Sequence, residues 1–135
     1  MGKDTKKIQM ISEMVSYVKQ NHDVDLMNRR REEPIVVSRA ALFNVCRGYV
    51  TASTLSRYFG MNHATILHHW RNHDALMVID WYRELFHELQ SIRRQFDEQA
   101  RKDFMDVFEQ LKRLQQQYDE LKTKVEQNEK TISQD

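Results

Sequence analysis

The chain has 135 residues, of which 40% are hydrophobic and 30% charged, and it contains only three Gly and one Pro. So few helix breakers exclude a turn-rich β-sandwich or barrel and predict an all-α chain. The formal net charge is +1, and no apolar run approaches the ~20 residues that a membrane span requires. No apolar signal-peptide core follows the Lys-rich start, so we expect a cytoplasmic protein. The single Cys46 excludes an internal disulfide.

Charge is distributed unevenly along the chain. Residues 34–73 contain four Arg and no Asp or Glu, and four of the six histidines also fall there. Residues 74–135 contain ten Lys or Arg and fourteen Asp or Glu. A surface without carboxylates suits a polyanionic partner, because each carboxylate would repel phosphate. The alternative is a small domain with a mildly basic surface and no such partner.

Residues 1–33 predict an N-terminal amphipathic helix followed by a polar linker. Apolar residues follow helical spacing within residues 7–20, at Ile8, Ile11, Val15 and Val18. The stretch from 21 to 33 is polar and includes three consecutive arginines, at 29–31, followed by two glutamates. We therefore expect a solvated linker that ends at Pro34.

Residues 34–75 predict a head of three short helices. Each has a residue whose side-chain oxygen can cap its N-terminus: Ser38 before 39–47, Thr51 before 52–59, and Asn62 before 63–73. Gly60 can supply the left-handed turn between the second and third helices. This pair has the length and turn chemistry of a helix-turn-helix.

Residues 76–135 predict one long helix that forms a coiled coil, with Asp74 as its cap. Apolar residues recur at heptad spacing from Val78 to Phe96 and, in a second register, from Phe104 to Ile132. The registers differ by one residue within 97–103, which indicates either a local change of winding or a loop that folds the helix back. A stripe this long needs a facing helix, and a second copy of the chain is the simplest one. We therefore expect a homo-oligomer, with a dimer favoured.

The stretch Leu55–Arg71, which reads LSRYFGMNHATILHHWR, resembles the carboxy-terminal duplex-DNA-binding domain of the DnaA replication initiator family. That family's recognition helix begins with Asp-His-Thr-Thr, which reads bases in the major groove. The resemblance implies the following positions for DNA contacts: Asn62, His63, Ala64 and Thr65 for those four residues, His68 for a later His, and Arg39 near a basic residue that enters the minor groove. Ala64 cannot hydrogen-bond, so the base preference should differ from the family's. No Gly-rich phosphate loop is present, so nucleotide binding is not implied.

The helical periodicity of residues 63–73 leads independently to the same assignment. At 100° per residue, one face is predicted to pack on Leu55 and Phe59: His63, Ile66, Leu67 and Trp70. The opposite face is small, polar or basic: Ala64, Thr65, His68, His69, Arg71 and Asn72. Such side chains make base and phosphate contacts, and Arg57 and Arg71 are the expected phosphate ligands.

No other chemistry is indicated by the sequence. His69 and His73 could form a metal pair, but residues 34–73 offer no carboxylate to complete a site, so we expect no metal. No catalytic motif is present, and we expect neither enzymatic activity nor a cofactor. The sequence therefore favours a protein that binds double-stranded DNA through its head and oligomerises through its long helix. The alternative is a coiled-coil scaffold or adaptor whose head binds protein.

Overall fold

A computed structural model describes the backbone of residues 2–133 and the side chains of residues 5–132. Over that range the protein is all-helical, and the expected long C-terminal helix is present. The helices are α1 (Gly2–His22), α2 (Glu33–Cys46), α3 (Ala52–Phe59), α4 (His63–Arg71), α5 (His73–Leu76) and α6 (Asp80–Ser133). The chain forms two compact units with a boundary between Phe96 and Asp97.

Helix α2 is the central element of the first unit and packs against α1, α4 and α5. Nearly all of its side chains from Ile35 to Cys46 are buried. It begins earlier than expected, because Pro34 lies in its first turn, where the N–H that proline lacks would have no helical partner. The prediction that Ser38 caps this helix is therefore wrong, since Ser38 lies inside α2 and is buried.

The boundaries of α3 and the start of α4 agree with the residues that cap them. The Thr51 hydroxyl accepts a hydrogen bond from the backbone N–H of Thr54 at 3.2 Å. The Asn62 side-chain oxygen accepts one from the N–H of Ala64 at 2.9 Å. Gly60, at φ +63°, ends α3 in the left-handed region that glycine adopts without steric cost. Both caps and the turn between them are as predicted, although α4 ends at Arg71.

The N-terminal helix covers the core with a narrower face than expected. Its buried side chains are Met10, Ile11, Met14 and Val18, whereas Ile8 remains 44% exposed. The predicted linker is not wholly solvated, because Leu26 is fully buried. The end of α1 is tied to α6 by the His22 imidazole, whose Nε2 lies 2.8 Å from the Glu88 carboxylate.

Helix α6 starts six residues later than its predicted cap, Asp74. Residues 77–79 form a turn after α5, and Val78, expected on the apolar stripe, is 78% exposed. The following stripe residues Tyr82, Leu85 and Leu89 are buried as predicted. Residues 97–103 are helical, so the loop considered for this stretch is absent. No helix in the described range is both long and apolar enough to cross a bilayer.

A buried polar network joins α2, α4, α5 and α6. The Asn44 amide nitrogen donates to the backbone carbonyls of Ala40 at 2.9 Å and His69 at 3.1 Å, and it lies 2.9 Å from the Tyr82 hydroxyl. That hydroxyl is 3.0 Å from Nδ1 of His73. Burial raises the pKa of Tyr82 to about 12 and lowers the pKa of His73. The neutral imidazole can therefore accept the hydroxyl's hydrogen bond, which fixes α5 against α6, while the bond from Asn44 to the His69 carbonyl holds α4 to α2.

Candidate nucleic-acid interface

Helix α4 is held to the core along one side only. Ile66 is fully buried, and Leu67 and Trp70 are partly buried against the core. The Trp70 indole N–H donates to the backbone carbonyl of Phe43 in α2 at 2.7 Å. These contacts anchor one face of α4 and leave its N-terminal turn at the surface.

The residues expected to contact DNA differ in exposure. Six of them are exposed: Arg57, Asn62, His63, Ala64, His68 and Arg71. Thr65 and His69 are partly buried, and Arg39 is buried. Most of the predicted residues of α4 and its cap are therefore at the surface.

His63 does not pack against Leu55 and Phe59, as the helical-wheel argument predicted. Its side chain is exposed at the first position of α4. Ile66 is the residue of α4 that is fully buried, and Leu67 and Trp70 pack partly against the core. His63 therefore lies beside Ala64 in the exposed first turn of α4.

The basic side chains near α4 are partly oriented by the helices that carry them. Nε of Arg57 donates to the Ser53 carbonyl, and Nε of Arg71 donates to the Leu67 carbonyl, each at 3.4 Å. The His68 ring nitrogen Nε2 lies 3.0 Å from the Asn72 amide nitrogen. The guanidinium groups of Arg57 and Arg71 are thus each hydrogen-bonded to their own helix through Nε, while both side chains are exposed.

His69 is a less accessible group than the sequence suggested. Its ring packs 5.7 Å from the ring of Phe43. Burial lowers the pKa of His69, and the nearby charges of His68 and Arg39 lower it further. His69 is therefore neutral at neutral pH, and its ring can act as a hydrogen-bonding group but not as a cation.

Arg39 lies inside the fold rather than on this surface. Only 6% of it is exposed, and burial lowers the pKa of its guanidinium. Nη2 donates to the backbone carbonyl of Arg30 at 3.2 Å, and Nη1 lies 3.9 Å from the sulfur of Met61. Nε is buried without a hydrogen-bond partner. Because α2 begins at Glu33, Arg39 falls in the second turn of that helix, where its side chain is buried.

Two further arginines approach the same helices without having been singled out by the sequence. Nη2 of Arg29 lies 3.7 Å from the point where a Cβ on Gly60 would stand. Nη1 of Arg47 donates to the Trp70 carbonyl at 3.3 Å, and its guanidinium lies 5.9 Å from the Trp70 ring centroid. The run of three arginines at 29–31 is the sequence signal for the first contact, in a stretch expected to be a solvated linker.

The described residues offer little other chemistry. No group of three or more His, Cys, Asp or Glu side chains in this range is arranged to hold a metal ion. Burial raises the pKa of the Cys46 thiol to about 12, so it stays protonated at neutral pH. Comparisons with protein-family models, with curated proteins and with solved structures found no match to this chain.

Proposed function

We propose that this protein binds double-stranded DNA and inserts the N-terminal turn of α4 into the major groove. The observation that carries the proposal is the exposed turn Asn62–Ala64, held by a helix whose other face is anchored in the core. A complete lack of carboxylates from 34 to 73 supports it, because phosphates surround both grooves. The resemblance to the DnaA duplex-binding domain supports the same orientation of a helix-turn-helix.

Base contacts come from the cap and first turn of α4. The Asn62 oxygen already accepts the Ala64 N–H, which leaves its amide nitrogen as a donor to a base acceptor. The Ala64 methyl group suits contact with a thymine methyl. His63 and Thr65, on either side of Ala64 in the chain, carry polar groups that reach base edges. Arg57, Arg71 and His68 contact the phosphates that flank the groove and fix the position of the helix.

The second compact unit supports self-association of the DNA-binding chain. From Phe104 to Ile132 its apolar side chains follow heptad spacing and are between 47% and 75% exposed: Phe104, Val107, Leu111, Leu114, Tyr118, Leu121, Val125 and Ile132. These side chains leave water only if another helix covers them. A second copy fits this stripe, because in a parallel pair Lys124 would face Glu129 of the other copy.

A dimer gives the proposal a further consequence. Two copies of α4 on one duplex require a site with two half-sites, and the two heads bind more tightly than one because the second binding event is intramolecular. The same exposed stripe favours the second candidate function, a scaffold or adaptor that displays its head to a protein partner.

Duplex binding tests this proposal directly. Fluorescence anisotropy of a labelled random-sequence duplex, titrated with the full chain, should give a saturable increase at low salt. With six or more phosphate contacts, the affinity should fall by about 10³-fold between about 50 and 200 mM salt. No binding at 50 mM salt, with the protein folded, would leave the scaffold as the better account.

A further inference from the structure

The segment that connects α1 to α2 is bound to the turn that precedes α4. The guanidinium of Arg39 reaches both: it donates to the Arg30 carbonyl at 3.2 Å and faces the Met61 sulfur at 3.9 Å. Met61 stands directly before Asn62, the cap of α4. One buried side chain therefore joins the arginine segment, residues 29–31, to the entry of the helix proposed to read bases.

Arg29 lies against the same turn. Its Nη2 is 3.7 Å from the position that a Cβ on Gly60 would occupy, and the side chain is exposed to solvent. The glutamates that follow the arginine segment do not neutralise it. Glu32 pairs with Arg30 at 3.6 Å, but both side chains are more than 60% exposed. The attraction within such a solvent-exposed ion pair is weak.

On α2, α3 and α4 the one carboxylate is that of Glu33, which is exposed at the first residue of α2, so no buried acid on these helices accompanies the charge of Arg39. No acid exists between residues 34 and 73, and Nε of Arg39 lacks any hydrogen-bond partner. A buried cation without a counter-charge is costly, and an apolar side chain of similar length would be the stable choice at this position. An anion bound at the surface above the guanidinium would offset that cost through its field.

We propose that Arg29 and the turn Gly60–Met61 form a binding site for one backbone phosphate of the DNA. This inference rests on the proposed function and adds a contact outside α4. Arg29 binds the phosphate directly, and the N-terminal end of the α4 dipole favours the anion at the same place. Arg39 is a positioning residue: it holds the arginine segment against the turn and adds positive charge beneath it.

The salt dependence of duplex binding by the full chain tests this site. Arg29→Gln removes one phosphate contact, so the slope of log K against log salt should become less steep by about 0.9. Arg31→Gln is the matched control, because it removes the same charge from the same exposed segment. The salt slope of Arg31→Gln should change by less than half as much as that of Arg29→Gln. Equal changes in the two variants, or none in Arg29→Gln, would overturn the site.

Arg39→Met tests the positioning role separately. It replaces the buried charge with an apolar chain of similar length, so thermal unfolding should show no loss of stability. The slope should nevertheless change as in Arg29→Gln, because the arginine segment is released from the turn. The double variant should lose no more than Arg29→Gln alone, since both changes act on one contact. A slope that equals the parent's in Arg39→Met would remove Arg39 from the site.

Inorganic phosphate separates failure of this site from failure of DNA binding. If the parent binds duplex but Arg29→Gln behaves as Arg31→Gln, the site is wrong while the proposed function stands. If the parent binds no duplex, the amide resonances of Gly60 and Met61 are followed by NMR as phosphate is added. Saturable shifts that require Arg29 would overturn the assignment to DNA and identify a free phosphate as the ligand. Absence of shifts would overturn an anion site of either kind.

Discussion

Self-association through the second compact unit should be lost when two of its exposed leucines are shortened. Leu114 and Leu121 are 61% and 62% exposed in the single chain, so a partner helix can still remove most of their surface from water. Changing each to Ala deletes three carbons, worth about 0.8 kcal/mol each when buried. Scaled by the exposed fraction, each substitution costs about 1.5 kcal/mol per chain.

The double variant changes four side chains in a dimer, so the total cost is about 6 kcal/mol and the dimer Kd should rise about 10⁴-fold. Sedimentation velocity over a range of concentrations measures that shift. Gln116→Ala with Thr123→Ala is the matched control, because these exposed residues lie on the opposite side of the heptad. The control should associate as the parent does. A parent chain that is monomeric at micromolar concentration, or a leucine variant with the parent's Kd, would refute the reasoning.

Three further predictions concern the first compact unit. The double substitution His63→Ala and Thr65→Ala should reduce the preference for a selected duplex over a random one by about 1–3 kcal/mol per lost base contact, with a smaller effect on binding of the random duplex. Competition anisotropy measures this preference. If variant and parent have the same preference, neither residue contacts a base. Arg57→Ala and Arg71→Ala should each weaken binding to all duplexes alike and lessen the salt slope by about 1, and an unchanged slope would exclude a phosphate contact. Because burial lowers the pKa of His73 in the folded state, the unfolded chain takes up its proton first as the pH falls below about 6.5, and the free energy of unfolding should decrease there. Urea unfolding of His73→Gln at several pH values should show a smaller decrease than the parent; an identical decrease would contradict this reasoning.

The sequence predicted the α3–α4 segment well because its determinants are local. Thr51 and Asn62 cap the helices that follow them, and Gly60 adopts the positive φ that the turn requires. Each of these features depends on residues no more than three or four positions away. The same local reasoning failed at Ser38, because a serine inside a helix cannot be distinguished by composition from a capping serine, whereas Pro34 in the first turn was the stronger signal.

The burial of Arg39 could not be predicted from sequence neighbours. It depends on where α2 begins and on contacts with Arg30 and with Met61, which lies 22 positions away along the chain. The start of α6 was missed for a related reason, because Asp74 is an adequate cap by residue type. The short helix α5 instead ends at Leu76, and the network from Asn44 to His73 fixes its position.

Selection of binding sites from a pool of random duplexes tests the central claim most directly. The full chain is mixed with the pool, bound duplexes are recovered and sequenced, and the cycle is repeated with the His63→Ala and Thr65→Ala double variant as control. We expect the parent to enrich a defined sequence arranged as two half-sites and the double variant to lose that enrichment. No enriched sequence from a folded parent, or the same sequence from both proteins, would contradict base reading by α4.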